Sequence, residues 1–185
     1  MAKVLLHICC GPCASACVER LRTLGHEVVL YFSNANIAPA GEYEKRLEAA
    51  RQLASATGTE LVEDRGASHG EWLDVVAKGF EDEPEGGARC RRCFAFNLAR
   101  AAKYAAERGF DKVTTSLTVS PHKRSATVFE AGRTACGAAF LEENFKKRDG
   151  FRRSLELSAE YGLYRQAYCG CEFSLRDSRR RASKE

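Results

Sequence analysis

Six of the nine cysteines in this chain fall in three short motifs, which are CC at 9–10, CRRC at 90–93 and CGC at 169–171. A disulfide scaffold is the simplest use of many cysteines, but it suits small secreted chains with an even cysteine count. This chain has 185 residues and an odd count, and no signal peptide is recognisable before the first motif. The cysteines therefore predict a metal or redox site in a reducing compartment, the cytoplasm.

The rest of the composition is that of an ordinary globular protein, with 44% hydrophobic and 29% charged residues. The length suits one domain, residues 1–185. No apolar run approaches the roughly 20 residues of a membrane helix, so we expect no membrane contact. The net charge of +4 is modest, but part of it lies at 146–153 and in a basic tail at about 174–185. This charge leaves contact with nucleic acid open.

Apolar runs alternate with amphipathic segments along the chain. The sequence predicts strands at 3–8, 27–32, 59–63 and 112–117, with a last short strand within 138–145. It predicts helices at 14–24, 42–57, 90–109, 122–135 and 151–162. Such alternation is typical of an α/β fold with a doubly wound, mostly parallel sheet, in a Rossmann-like, nucleotide-hydrolase-like topology.

The first cysteine motif occupies the place of a phosphate-binding loop. Ligands of doubly wound sheets bind beyond the carboxyl ends of the strands, where the loop with Cys9 and Cys10 and the segment 114–123 are both expected. The phosphate-loop pattern GxxxxGK[ST] and the dinucleotide pattern GxGxxG are both absent from the sequence, and CCGPC follows the first strand instead. We therefore expect a nucleotide-binding topology whose phosphate loop is replaced by a cysteine loop.

Adjacent cysteines can bind one metal centre only where the backbone turns, because side chains alternate along an extended strand. Gly11-Pro12 supplies such a turn. Together with Cys90 and Cys93, the pair Cys9-Cys10 makes a four-cysteine site drawn from distant loops. Zinc and a 4Fe–4S cluster both use four thiolates, and the sequence leaves both open.

The pair Cys169 and Cys171 is too closely spaced for easy chelation of a cluster by both sulfurs. It can form a strained, readily reduced disulfide, and Gly170 between them permits unusual backbone angles. We therefore predict a redox-active pair.

Other candidate side chains have less distinctive surroundings. Cys17 and Cys136 are predicted as core residues, and His7, in the middle of a strand, as a buried histidine with hydrogen-bond partners. Cys13 lies at the mouth of the expected site and is a candidate ligand of a further metal. His122 attracts attention because it lies in the rim segment.

Five segments resemble the QueH family of epoxyqueuosine reductases: LLHICCGPC at 5–13, NIAPAGEYEKR at 36–46, RCRRCF at 89–94, TTSLTVSPHK at 114–123 and YCGC at 168–171. They follow the family's order and spacing over nearly the whole chain. The resemblance implies reduction of epoxyqueuosine to queuosine at the wobble position of tRNA anticodons. It also implies a redox-active Cys169–Cys171 pair and a 4Fe–4S cluster on Cys9, Cys10, Cys90 and Cys93.

The resemblance also raises a second, mononuclear iron beside the cluster, with Cys13 as a candidate ligand. Candidates for holding the substrate or supplying protons are Tyr43, Arg46, Ser120 and His122, for which surface helix positions and an ordinary turn are the alternatives. The expected partners are tRNA and an electron donor that the sequence does not identify. Two rival functions remain: a four-cysteine zinc module that binds RNA, and a thiol–disulfide oxidoreductase acting on proteins.

Overall fold

The structure is a computed structural model that describes residues 1–183. Within them, four parallel strands form one sheet in the order β3-β2-β1-β4. The strands are β1 (Lys3–Ile8), β2 (Glu27–Phe32), β3 (Glu60–Glu63) and β4 (Lys112–Thr115). The helices are α1 (Gly11–Thr23), α2 (Ala40–Thr57), α3 (His69–Trp72), α4 (Ala88–Glu107), α5 (Ser125–Cys136), α6 (Gly150–Glu160) and α7 (Glu172–Ala182).

Helices cover both faces of the sheet, as alternating strand side chains require. On one face Val4, Leu6 and Ile8 of β1 belong to a buried cluster that includes residues of α1 and α2. On the other face Leu5 packs with Ala101 of α4. The expected α/β fold with a doubly wound parallel sheet is confirmed.

The strand order places a topological switch point beside the first cysteine loop. β1 pairs with β2 on one side and with β4 on the other, and the chain goes from β1 to α1 but reaches β4 from α4. In doubly wound sheets the ligand crevice opens where the connections diverge in this way. The residues after β1 and β4 therefore lie at its mouth.

Three local features differ from the sequence prediction. The prediction of a strand within 138–145 is wrong: in that part of the described chain the structure has only an isolated β-bridge between Val113 and Phe140. β4 ends at Thr115 because its side chain accepts a hydrogen bond from the Leu117 amide at the start of a 3₁₀ turn. α3 and the π-helical turn Leu73–Ala77 after it were not predicted.

The basic C-terminal segment forms α7 as far as Ala182, and residues 184 and 185 of the expected tail lie outside the described residues. Among residues 1–183, no helix has the length and apolarity needed to cross a membrane.

The close contact of α1 with α2 positions the first cysteine loop. A β-carbon on Gly11 would lie 2.3 Å from the carbonyl oxygen of Ala49, whereas one on Gly41 would meet nothing within 4 Å. We expect Gly11→Ala to lower the free energy of unfolding by about 1–3 kcal/mol, because α1 must move away from backbone that cannot yield. Denaturant unfolding measures this change.

The matched control is Gly41→Ala in the first turn of α2, which should be neutral or stabilising by up to about 1 kcal/mol. Equal stability of the two variants would show that the two helices do not pack this closely.

Candidate metal and redox site

Cys9, Cys10 and Cys13 form a compact triad at the carboxyl end of β1. Cys10 is the extended residue before α1, and Pro12 occupies the first turn, so the chain bends sharply from strand into helix. Cys13 follows one helical turn later. The three sulfur atoms all lie within 4.8 Å of one another, and the sulfurs of Cys9 and Cys10 are 3.8 Å apart.

Three thiols this close cannot all ionise, and the structure concentrates negative charge on one of them. Hydrogen bonds from the Cys10 and Cys9 thiols hold the pKa of Cys13 well below its usual range. The same contact with Cys13 raises the pKa of Cys10 well above it. The amino terminus of α1 adds a positive dipole end at this position. The triad is therefore suited to carry a thiolate.

Gln166 donates to sulfurs of the triad, and Lys123 brings a positive charge close to them. The amide nitrogen of Gln166 lies 3.0 Å from the sulfur of Cys10 and 3.7 Å from that of Cys13. Burial alone would lower the pKa of Lys123, but the negative charges of Cys169, Cys9 and Cys13 raise it, and its ammonium bonds to Cys169. Lys123 is thus a cation placed between the triad and the CGC loop.

Cys90 and Cys93 lie in the first two turns of α4. The Gly86 amide approaches the sulfur of Cys90 at 3.2 Å, and the Asn97 side-chain nitrogen lies 3.8 Å from that of Cys93. The fully buried indole of Trp72 adjoins Cys93 and opposes the burial that raises its pKa. Each thiol of the CRRC motif therefore has a nitrogen donor beside it.

The CGC loop is held in a strained backbone conformation by a buried arginine. Gly170 has φ +149, and a β-carbon there would lie 3.2 Å from the guanidinium of Arg46. That guanidinium donates to the carbonyl oxygens of Cys169 at 2.8 Å and Tyr168 at 3.0 Å. Cys171 then begins α7, and burial raises its pKa to about 11. Only glycine fits the middle position of this motif.

Contacts among the motifs show that all three meet at one end of the sheet. Cys9 and Cys90 pack against the same apolar cluster between α4 and α5. Cys93 and Cys171 pack against a second cluster, around the tryptophan of α3. Burial raises the pKa values of Cys90 and Cys93, and the charge of nearby Cys169 raises them further. No disulfide joins Cys169 to Cys171 in the described part of the chain.

A cleft of about 630 Å³ opens beside these motifs, and Cys9, Cys13 and Cys169 line it. The substrate candidates Ser120 and His122 line the same cleft. The volume of this cleft lies within the usual range of pockets that bind small ligands.

The other two substrate candidates lie elsewhere. Tyr43 lines a separate pocket of about 380 Å³ beyond the ends of β2 and β3. Arg46 is fully buried beneath the CGC loop, so it is not a surface helix residue and acts on the cleft through the loop.

The remaining predicted core residues have ordinary structural roles. Cys17 is fully buried, and Cys136 is half-buried against the cluster on the α4 face. His7 is buried with its ring nitrogens 2.9 Å from the Thr115 hydroxyl and 3.3 Å from the Ser33 carbonyl oxygen. It is the hydrogen-bonded core histidine that the sequence predicted.

Sequence reasoning missed three side chains of the site. Lys123 closes the segment TTSLTVSPHK and could have been found from that position. Gln166 and Trp72 had no comparable signal, because each meets a sulfur from a segment far away in the sequence.

The residues present fit a thiolate-bound metal centre. Its donor set consists of soft thiols, the type that selects zinc or iron–sulfur clusters. Nitrogen donors lie next to the sulfurs of Cys10, Cys90 and Cys93, and hydrogen bonds to ligand sulfurs tune the reduction potential of such clusters.

Comparison with known proteins adds a family match. The family model described as "Epoxyqueuosine reductase QueH" matches residues 4–177. The chain is 39% identical over 180 residues to an epoxyqueuosine reductase QueH from Streptococcus pyogenes, covering 93% of this chain and 70% of that protein. It is 37% identical over 186 residues to the one from Thermotoga maritima, covering 97% and 93%.

A solved structure shares the fold. The U34-tRNA thiolase NcsA from Methanococcus maripaludis, with its [4Fe-4S] cluster, superposes with a TM-score of 0.57 at 12% identity. The match covers 98% of this chain and 66% of that one. At this identity the likeness supports the doubly wound architecture alone.

The buried Arg46 predicts a specific cost of mutation. Its guanidinium pairs with Glu42 at 2.7 Å, besides its two bonds to the CGC loop. We expect Arg46→Gln to lower the free energy of unfolding by about 3–5 kcal/mol, because Glu42 and two carbonyl groups lose a buried partner. Amide hydrogen exchange should also accelerate at residues 168–171.

Arg51→Gln is the matched control on the same helix, because Arg51 forms an exposed ion pair with Glu63. Its cost should be about 0–1 kcal/mol, without faster exchange in the loop. Similar losses in the two variants would contradict the role assigned to Arg46.

Proposed function

This chain belongs to the epoxyqueuosine reductase QueH family and is an oxidoreductase, and on that premise we propose that it reduces epoxyqueuosine in tRNA to queuosine. The observation that carries the proposal is the meeting of three distant cysteine motifs at one end of the sheet, beside a cleft at the switch point that Cys9 and Cys169 line. That arrangement joins a metal-binding thiol set to a dithiol in a pocket open to solvent.

The reaction requires two electrons and two protons. An epoxide becomes an alkene when both C–O bonds break and the oxygen leaves as water. A dithiol supplies two electrons and two protons when it closes to a disulfide, and we assign this step to Cys169 and Cys171. An external donor, not yet identified, must then reduce the disulfide again.

We assign the 4Fe–4S cluster to Cys9, Cys10, Cys90 and Cys93. When bound, it would supply single electrons at low potential. Cys13 lies outside this set, although its sulfur is within 4.8 Å of the first two. Its tendency to ionise favours a role as ligand of a second iron over a role in the core.

The chain's own polar groups can manage charge and orientation in the cleft. Lys123 keeps its positive charge beside Cys169, where it can stabilise the negative charge that develops on a leaving oxygen. Ser120 and His122 line the same space and can contact the substrate. An anticodon base reaches such a pocket only after it leaves its stack.

The decisive experiment is an anaerobic assay of the purified protein on tRNA that contains epoxyqueuosine, with a chemical reductant. Mass spectrometry of the digested nucleosides should show queuosine appearing as epoxyqueuosine disappears. Unchanged epoxyqueuosine with protein that holds its metal would rule out the proposed reaction.

The cluster assignment predicts the metal content. The protein purified without oxygen should be brown, with about four irons and four sulfides per chain. Cys90→Ser should lose most of the iron and the visible absorption, because it removes one of four ligands. Cys136→Ala, on the far side of α4, should keep both. A colourless wild type with one zinc would instead support the zinc module.

The dithiol assignment predicts a separation of activity from metal content. Cys169→Ser and Cys171→Ser should each lower turnover by at least about a hundredfold. Iron content and visible absorption should stay at the wild-type level, as in Cys136→Ala. Variants that still convert epoxyqueuosine tRNA at the normal rate would show that the pair is not the electron store.

A further inference from the structure

Positive charge surrounds the mouth of the cysteine cleft. Among the described residues that line the cleft, Lys123, Arg165 and Arg181 carry positive charge, and Glu85 is the one carboxylate. Arg181 lies 3.3 Å from Glu85 and is partly neutralised by it. Lys123 is engaged with the thiols. Of these three cleft-lining cations, Arg165 is the one that has neither a carboxylate nor a thiol as a partner.

Arg165 is held in place by neutral groups. One guanidinium nitrogen lies 3.0 Å from the Ser158 hydroxyl oxygen and 3.4 Å from the Ser154 carbonyl oxygen, and the group lies 6.0 Å from the centre of the Phe151 ring. Within residues 1–183 the Arg165 guanidinium forms no ion pair, and its side chain is exposed to solvent. An arginine fixed by neutral contacts and left uncompensated at a cleft mouth is prepared to bind an anion.

Two further arginines extend the same charge beyond the cleft. Arg179 and Arg180 stand beside Arg181 in the last turn of α7, and both are exposed. Cys171 immediately precedes this helix, so the CGC loop leads directly into the element that carries the arginines. The last turn lies about 12–15 Å along the helix from Cys171, at the edge of the cleft that Arg181 lines.

We propose that Arg165 binds a backbone phosphate of RNA next to the nucleotide in the cleft, and that the last turn of α7 binds a neighbouring phosphate. The proposal rests on the proposed function, because it takes the ligand to be tRNA. A nucleotide inserted into a cleft keeps its flanking phosphates at the mouth. Cations from two elements, the segment after α6 and α7, can contact such a pair, whereas a single small anion would need only one of them.

The test measures binding of epoxyqueuosine tRNA to the metal-loaded protein at several salt concentrations, without reductant. Each lost phosphate contact should lower the slope of log affinity against log salt by about 0.7–0.9. Arg165→Gln should therefore reduce the slope by about one contact and weaken binding about tenfold at low salt. Arg165→Lys should restore the slope but only part of the affinity, because it keeps the charge and loses the planar fork.

Arg152→Gln is the matched control. Arg152 is an exposed arginine on α6 that pairs with Asp149 and Glu156 and does not line the cleft. It should leave the slope and the affinity unchanged. Circular dichroism and visible absorption of each variant verify folding and metal content.

An unchanged salt slope in folded, metal-loaded Arg165→Gln would overturn the proposal and leave Arg165 a residue that only anchors its loop. The outcome is separable from the proposed function. A wild type that shows the expected slope but no turnover refutes the reaction, whereas normal turnover with an unaltered slope in Arg165→Gln refutes the phosphate contact.

Discussion

The buried guanidinium of Arg46 connects the two halves of the site. It crosses from α2 to the carbonyl groups of Tyr168 and Cys169. This buried charge is tolerated because the guanidinium is surrounded by interaction partners. Glu42 supplies the counter-charge, and the Tyr168 ring lies 5.2 Å away.

Positive charges throughout the site offset the cost of ionising the buried, clustered cysteines. Buried thiols disfavour ionisation, and neighbouring thiolates repel one another. Arg46 and Lys123 both lie close enough to Cys9 for the charges to affect each other's pKa, and the amino termini of α1, α4 and α7 each point at a motif cysteine. The three motifs share one local arrangement, a cysteine at or near the start of a helix, where the positive end of the helix dipole offsets part of the cost of ionising a buried thiol.

Local patterns in the sequence were sufficient to predict the sheet and most of the site. Apolar runs marked three of the strands closely, and the switch-point rule brought the loop after β1 to the ligand edge. The rule could not show that Cys13 closes with Cys9 and Cys10 into one triad, since that depends on how sharply the chain enters α1. The sequence offered Arg46 as a substrate candidate or a surface helix residue and did not predict its burial, because that burial is created by a loop more than 120 positions later. Contacts of this kind leave no periodic signal.

Binding of a metal at the cysteine-rich end of the sheet would also contribute to the stability of the folded protein. The thiols of the triad bond to one another and accept from Gln166, and a fully buried indole nitrogen beside Cys93 lacks an acceptor among the described residues. A ligand that binds only the folded protein stabilises it by RT ln(1 + [L]/Kd), where [L] is the free ligand concentration. Metal binding would also take up the charge that Arg46 and Lys123 now balance. The loop before α1 and the start of α4, which carry the proposed cluster ligands, should therefore gain stability together, because neither holds the complete proposed ligand set alone.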